Sequence, residues 1–230
     1  MSAPLRLVIF DMDGTLIDSQ DFIFDAMLRA FGGLGVDLPS REAVLSITGL
    51  SLEVAIATLL PGRPQHEVDD AVQRFRAAFI ALRAERGGEA ASPLYPGARA
   101  ALEALNAQDE VLMGVATGKA RRGLDHACQA HDLDRYFVTR QTADFHPSKP
   151  NPSMLHAALA ETGAEAANAV MIGDTTFDIE MGRAAGFRTI GVTWGYHPAD
   201  ALVQAGADIL IDAFQDLSGA LGTIWGTVYE

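Results

Sequence analysis

Six residues, Leu5-Arg6-Leu7-Val8-Ile9-Phe10, run straight into Asp11-Met12-Asp13-Gly14-Thr15-Leu16. An apolar run dense in Leu, Val and Ile reads as a strand buried on both faces, and such strands belong to parallel sheets covered by helices. This strand stops in two carboxylates, a glycine and a hydroxyl. Ligands of open α/β sheets bind in the crevice outside the carboxyl ends of the strands, so both acids stand where a site is expected. As the strand gives way to a turn, Asp11 and Asp13 can converge on one point. Two acids that close repel and raise one pKa unless a cation sits between them, and a hard divalent ion with oxygen ligands, such as Mg²⁺, answers that need.

Behind the acidic turn the spacing becomes helical. Asp18-Ser19 offers N-cap side chains, and Phe24, Met27, Leu28 and Phe31 follow on one face. A second helical stretch spans about residues 40–60, interrupted at Thr48-Gly49 and ended by Pro61-Gly62. A third begins near Pro64, carries Val68, Val72, Phe75, Phe79 and Leu82 as one stripe, and stops at Gly87-Gly88. No strand pattern appears across 18–92, which predicts an all-helical insertion. From Tyr95-Pro96-Gly97 onward helices alternate with buried strands at 111–116, 136–139, 169–173, 188–192 and 208–211. Asn151 is the expected cap, and Pro152 the first residue, of the helix after Lys149-Pro150. This alternation predicts a Rossmann-like, doubly wound parallel α/β sheet with right-handed crossovers. The core is expected over 1–17 and 92–230, with a helical cap over 18–91.

Three predicted strands end in polar clusters: Asp11 with Asp13, Thr117, and Asp174 with Asp178. Parallel strands present their carboxyl ends on one edge, so the fold itself gathers these clusters. The helical insertion leaves the chain at that edge and can cover it. Asp after a strand is commonly a turn former, and a lone Thr-Gly or Lys is ordinary surface. The recurrence of Asp-x-Asp-Gly-Thr and Gly-Asp-x-x-x-Asp behind separate strands is far more specific. A carboxylate nucleophile, a second carboxyl able to exchange a proton, a hydroxyl and an ammonium suit phosphoryl transfer from an ester to an enzyme Asp. A metal and Lys149 would neutralise the transferring group, and N–H groups near Gly118 would add donors at a helix start.

The formal net charge of −13 argues against nucleic acid as a partner, since nothing offsets repulsion from phosphates. A single cysteine, Cys128, excludes an intrachain disulfide and fits a cytoplasmic protein; its helical spacing with Leu124 marks it as a buried thiol. No run approaches the roughly 20 apolar residues of a membrane span, so no membrane partner is expected. The six His fall at no metal-ligand spacing.

Asp11-Met-Asp13-Gly-Thr15, Thr117, Lys149-Pro and Gly173-Asp174-x-x-x-Asp178 resemble, in order and spacing, the motifs of the haloacid dehalogenase superfamily. The pattern looks most like its phosphoglycolate-phosphatase-type members with a helical cap, and the likeness covers nearly the whole chain. The resemblance implies Asp11 as the nucleophile that forms an aspartyl-phosphate, and Asp13 as the acid that protonates the leaving alcohol and then activates water. It implies Thr117, Gly118 and Lys149 on the phosphoryl oxygens. Mg²⁺ would sit on the Asp11 carboxylate, the Asp13 carbonyl and Asp174, with Thr15 and Asp178 in support. Thr48, Gly49 and Ser51 would face a small phosphorylated substrate from the cap, with Arg41 and Arg63 the cations within reach along the chain.

Single positions separate the family's branches. True dehalogenases resemble this chain but usually carry Tyr where Asp13 stands, and phosphonatase-like members carry a cap lysine, which 18–92 lacks. β-Phosphoglucomutase-like members place a His near Ile23 and basic residues by the cap glycine; neither is present, so a phosphomutase is the lesser reading within the family. Outside it stand a phospho-receiver domain, disfavoured by the long insertion, and a non-catalytic phospho-ligand binder, disfavoured by the intact acids. Both monomer and homodimer are compatible with the sequence.

Overall fold

Alternate residues of the first strand, β1 (Arg6–Phe10), serve opposite faces of a sheet. Val8 and Phe10 pack with Leu102, Val115 and Leu124, whereas Leu7 and Ile9 pack with Met154, Leu155 and Met171. Two apolar layers on one strand require helices on both sides. A computed structural model of the chain, describing residues 4–87 and 92–226, has this arrangement. With β2 (Val111–Thr117), β3 (Phe137–Thr142), β4 (Ala169–Gly173), β5 (Arg188–Val192) and β6 (Ile209–Ile211), the strands form one parallel sheet in the order β3-β2-β1-β4-β5-β6. That is a doubly wound order, and it reverses at β1, which lies between β2 and β4.

The helices between strands are α5 (Ala98–Asn106), α6 (Arg121–Ala130), α7 (Ser153–Thr162), α8 (Thr176–Ala184) and α9 (Ala199–Ala205), and α10 (Leu217–Trp225) follows the last strand. Cys128 is fully buried on α6, and burial pushes its thiol up to about 11. The third strand runs three residues beyond the 136–139 expected, because its polar end residues Gln141 and Thr142 still pair with Ala116 and Thr117. The last strand starts one residue later than expected, since the Asp208 carboxylate is drawn aside to the Thr189 N–H and hydroxyl. Helix α7 begins at Ser153 rather than Pro152, yet Asn151 Oδ1 accepts from Ser153 N at 3.0 Å, as a capping side chain does.

The insertion contains α1 (Gln20–Gly32), α2 (Arg41–Leu45), α3 (Leu52–Leu59) and α4 (Gln65–Arg86). Ser40 caps α2, and Gly87 ends α4 in the left-handed conformation with φ 88°. Met27, Phe31, Val44, Ile56, Val68 and Val72 form an apolar cluster of their own, apart from the two sheet layers. The expected boundary at residue 91 falls outside the described residues. On either side of it the two connections pair with each other: Ile17 bridges Leu94 antiparallel, Asp18 N donates to Pro93 O at 2.9 Å, and Tyr95 N to Leu16 O at 3.0 Å. Among the described residues no helix is long and apolar enough to cross a membrane.

Candidate active site

The backbone keeps its ladder one residue past β1, with Asp11 N donating to Ile172 O at 2.9 Å, so the Asp11 side chain is fixed as rigidly as a strand residue. The chain then folds back on itself, Leu16 N and Ile17 N both donating to Met12 O. Asp11 is 1% exposed. Its Oδ1 lies 2.8 Å from Lys149 Nζ, yet neither carboxylate oxygen has a hydrogen-bond partner of good geometry. Burial raises its pKa to about 7; the Lys149 ammonium opposes that rise and the Asp178 charge adds to it.

Asp174 follows β4, the neighbour of β1, and is fully buried. Thr15 Oγ1 donates to its Oδ1 at 2.7 Å and Tyr196 N to its Oδ2 at 2.9 Å. Burial, then the charges of Asp11 and Asp178, hold its carboxyl well above the usual range. Gly14, at φ +89°, is the residue that permits this crowding, because a Cβ there would overlap the Asp174 carboxylate and the Tyr196 ring.

Asp178 lies in the first turn of α8. Thr175 and Asp178 form a capping box, Thr175 N and Oγ1 donating to Asp178 Oδ2 at 3.1 and 2.7 Å. Its Oδ1 receives Lys149 Nζ at 2.6 Å. Burial disfavours the Lys149 charge, but Asp11 and Asp178 outweigh it and keep the ammonium above its ordinary range. The Lys149–Pro150 peptide that delivers it is cis.

One carboxylate oxygen from each of Asp11, Asp174 and Asp178 lies within 4.8 Å of the others. The three buried acids outnumber the one ammonium beside them, Lys149, which reaches Asp11 at 2.8 Å and Asp178 at 2.6 Å. An all-oxygen donor set with uncompensated negative charge fits a hard divalent cation. The cluster contains Asp178 beside the expected Asp11 and Asp174.

The Asp13 carboxylate points elsewhere. Ser19 Oγ donates to its Oδ1 at 2.7 Å, and Lys119 Nζ lies 2.9 Å from its Oδ2. Ser19 Oγ also meets the Tyr196 hydroxyl at 2.9 Å. Ser19 does precede α1, but its side chain caps no helix N–H, because Asp13 takes it.

Thr117 is buried at the end of β2, and its Oγ1 accepts from Lys119 N at 3.2 Å. The turn joining α2 to α3 lies directly over the next residue: a Cβ on Gly118 would sit 2.5 Å from the carbonyl oxygens of Gly49 and Leu50. Gly49 has φ +103°, and a Cβ there would lie 3.2 Å from Thr175 Oγ1. Ser51 N donates to Ser148 Oγ at 2.8 Å. The turn thus rests on three core loops. The Thr48 hydroxyl donates inward to Val44 O at 3.0 Å. Arg41 pairs with Asp21 at 2.7 Å and Arg63 with Glu67 at 3.2 Å.

Sequence reasoning missed Ser19 and Lys119 as partners of Asp13, Tyr196 as the donor to Asp174, and Ser148 under the cap turn. One signal was readable. Lys119 and Lys149 are the only lysines among 17 Lys and Arg, and both stand directly behind polar strand ends or turns.

A family model described as haloacid dehalogenase-like hydrolase matches residues 8–192. A protein of Dickeya dadantii (strain 3937) named "Probable phosphatase IndB" is 37% identical over 217 residues, 93% of this chain and 92% of its own. The phosphoglycolate phosphatase of Photobacterium profundum is 29% identical over 216 residues, 93% of this chain and 94% of its own. A crystal structure of a hydrolase from Pseudomonas syringae superposes with a TM-score of 0.83 at 23% identity, covering 95% of this chain and 99% of its own, a likeness of fold.

Proposed function

The chain belongs to the haloacid dehalogenase-like hydrolases and is a phosphatase, and from that premise we propose that it hydrolyses a small phosphomonoester of the phosphoglycolate kind through an aspartyl-phosphate on Asp11. The observation that carries the reading is the Asp11 carboxylate, buried at the end of β1 and 2.8 Å from the Lys149 ammonium. A carboxylate held by opposite charge keeps lone pairs available for attack.

In this reading an Asp11 oxygen attacks phosphorus as the bond to the ester oxygen breaks. Asp13 passes its proton to the departing alcohol oxygen. The resulting Asp13 carboxylate then takes a proton from water as that water attacks the aspartyl-phosphate, and the phosphorus–Asp11 bond breaks to free the nucleophile. Thr117, the Gly118 N–H and Lys149 hold the phosphoryl oxygens, with Lys149 fixed by Asp178. Mg²⁺, held by Asp11, Asp174 and the Asp13 carbonyl, with Thr15 and Asp178 in support, would supply positive charge where negative charge concentrates during transfer.

We assign 18–91 as the cap and 1–17 with 92–230 as the core, with Thr48, Gly49 and Ser51 facing the substrate and the protein working in the cytoplasm. Phosphate release with Mg²⁺ from phosphoglycolate, sugar phosphates, nucleoside monophosphates and pyrophosphate tests the reading. Release is expected from small esters, and release from none of them rejects it. Isomerised sugar phosphate without release would indicate a phosphomutase instead.

A further inference from the structure

Lys119 is one of two lysines in the chain, and the other is the ammonium on Asp11. Each acid of the Asp-x-Asp pair therefore has its own lysine. Lys119 reaches Asp13 Oδ2 with its side chain 12% exposed, and its ammonium lies 5.5 Å from the centre of the Phe79 ring on α4. The stem passes over Gly123 of α6, where a Cβ would sit 2.9 Å from Lys119 Cγ and 3.1 Å from Cδ. Glycine inside a helix is less stable than alanine, so its presence on α6 calls for a local reason, and the passage of this stem supplies one. The turn after β2, the core helix α6 and the inserted helix α4 thus act on the same side chain. Because Ser19 holds Oδ1 and Lys119 holds Oδ2, the Asp13 carboxyl plane is set from both sides.

We propose that Lys119 is a positioning residue for Asp13, keeping the carboxyl aimed at the leaving oxygen, with Gly123 and Phe79 forming its seat. The inference rests on the reading of Asp13 as the proton carrier. With Lys119 removed, Ser19 is the remaining side-chain partner of the Asp13 carboxylate among the described residues, and the carboxyl can rotate about that contact. A displacement of about 1 Å in a reacting group costs on the order of a hundredfold in rate. The loss falls on steps in which Asp13 moves a proton and leaves substrate affinity nearly unchanged.

The test compares wild type with Lys119→Met, Lys119→Arg and Gly123→Ala. It uses Mg²⁺ with phosphoglycolate, or the alkyl phosphate cleaved fastest, and with p-nitrophenyl phosphate, whose leaving group departs without a proton. Lys119→Met is expected to lower kcat on the alkyl ester at least tenfold, with KM within about threefold and a much smaller loss in single-turnover release of p-nitrophenol. Lys119→Arg should recover part of kcat. Gly123→Ala should lower kcat while Tm stays constant or rises, since alanine favours the helix itself. A rise in KM with kcat preserved would make Lys119 a substrate contact and overturn the proposal. So would equal losses of leaving-group release on both esters, or full kcat in both Lys119→Met and Gly123→Ala. Wild-type protein inert on every ester would instead remove the functional reading, and this inference with it.

Discussion

Lys149 and Asp178 form a fully buried pair, Nζ to Oδ1 at 2.6 Å, in which the aspartate also closes the capping box of α8. One carboxylate therefore fixes both a helix start and the ammonium that reaches Asp11. Removing one partner of a buried ion pair costs about 3–5 kcal/mol, because the charge left behind is uncompensated. Asp178→Ala is expected to lose that much in urea unfolding, together with most activity. A loss below about 1 kcal/mol would show that Lys149 finds equal support from Asp11 alone.

Asp11→Asn keeps the shape of the side chain and removes a buried charge. Turnover should fall below detection, while metal-free stability at neutral pH holds or increases, since burial already drives Asp11 toward its neutral form. Activity within tenfold of the parent would exclude an aspartyl-phosphate on this residue.

Stability should respond to pH and metal together. In the metal-free protein the Asp11 carboxyl is raised from 3.8 to about 7, so the folded state binds this proton more tightly than the unfolded chain. Its favourable contribution is complete below the unfolded value of 3.8 and is lost as pH rises through about 7. A cation on the same oxygens favours the charged form and restores stability where the proton has gone. Added Mg²⁺ should therefore raise Tm more at roughly pH 8 than at roughly pH 5. An equal rise at both would place the metal elsewhere.

Gly118→Ala places a methyl against the Gly49 and Leu50 carbonyls. Relief requires lifting the turn off the core, at about 1–3 kcal/mol for a comparable overpacking. We expect kcat/KM to fall at least tenfold while the far-ultraviolet circular dichroism spectrum is unchanged. An unaltered kcat/KM would mean that this contact is dispensable for turnover.

Much of this architecture is legible because buried parallel strands announce themselves as apolar runs. Residues 5–10, 111–116 and 169–173 needed no partner information, and each ends in a polar residue now seen at one sheet edge. The roles of Ser19, Lys119 and Tyr196 were hidden for a different reason. Ser19 has the local signature of a helix cap, and only the return of the chain at Asp13 shows where its hydroxyl goes. The Tyr196–Asp174 contact spans 22 residues, and the Ser19–Tyr196 contact spans 177. Pairings across that much chain depend on how crossovers pack, which local periodicity does not encode. The 40–60 stretch was legible as one helical stretch interrupted at Thr48-Gly49, where the structure has two separate helices, and the seating of the turn between them on Gly118 and Ser148 was not legible.

Confining both lysines to one site leaves every other side-chain cation an arginine. Guanidinium groups are inert to reductive methylation and to other mild amine reagents. Such a reagent would find no lysine on the rest of the protein to consume it, and the more accessible of the two ε-amines is the one beside Asp13. Isotopic methyl groups would enter at Lys119, because the Lys149 side chain is fully buried between two carboxylates, and the lysine signal obtained would report on Asp13.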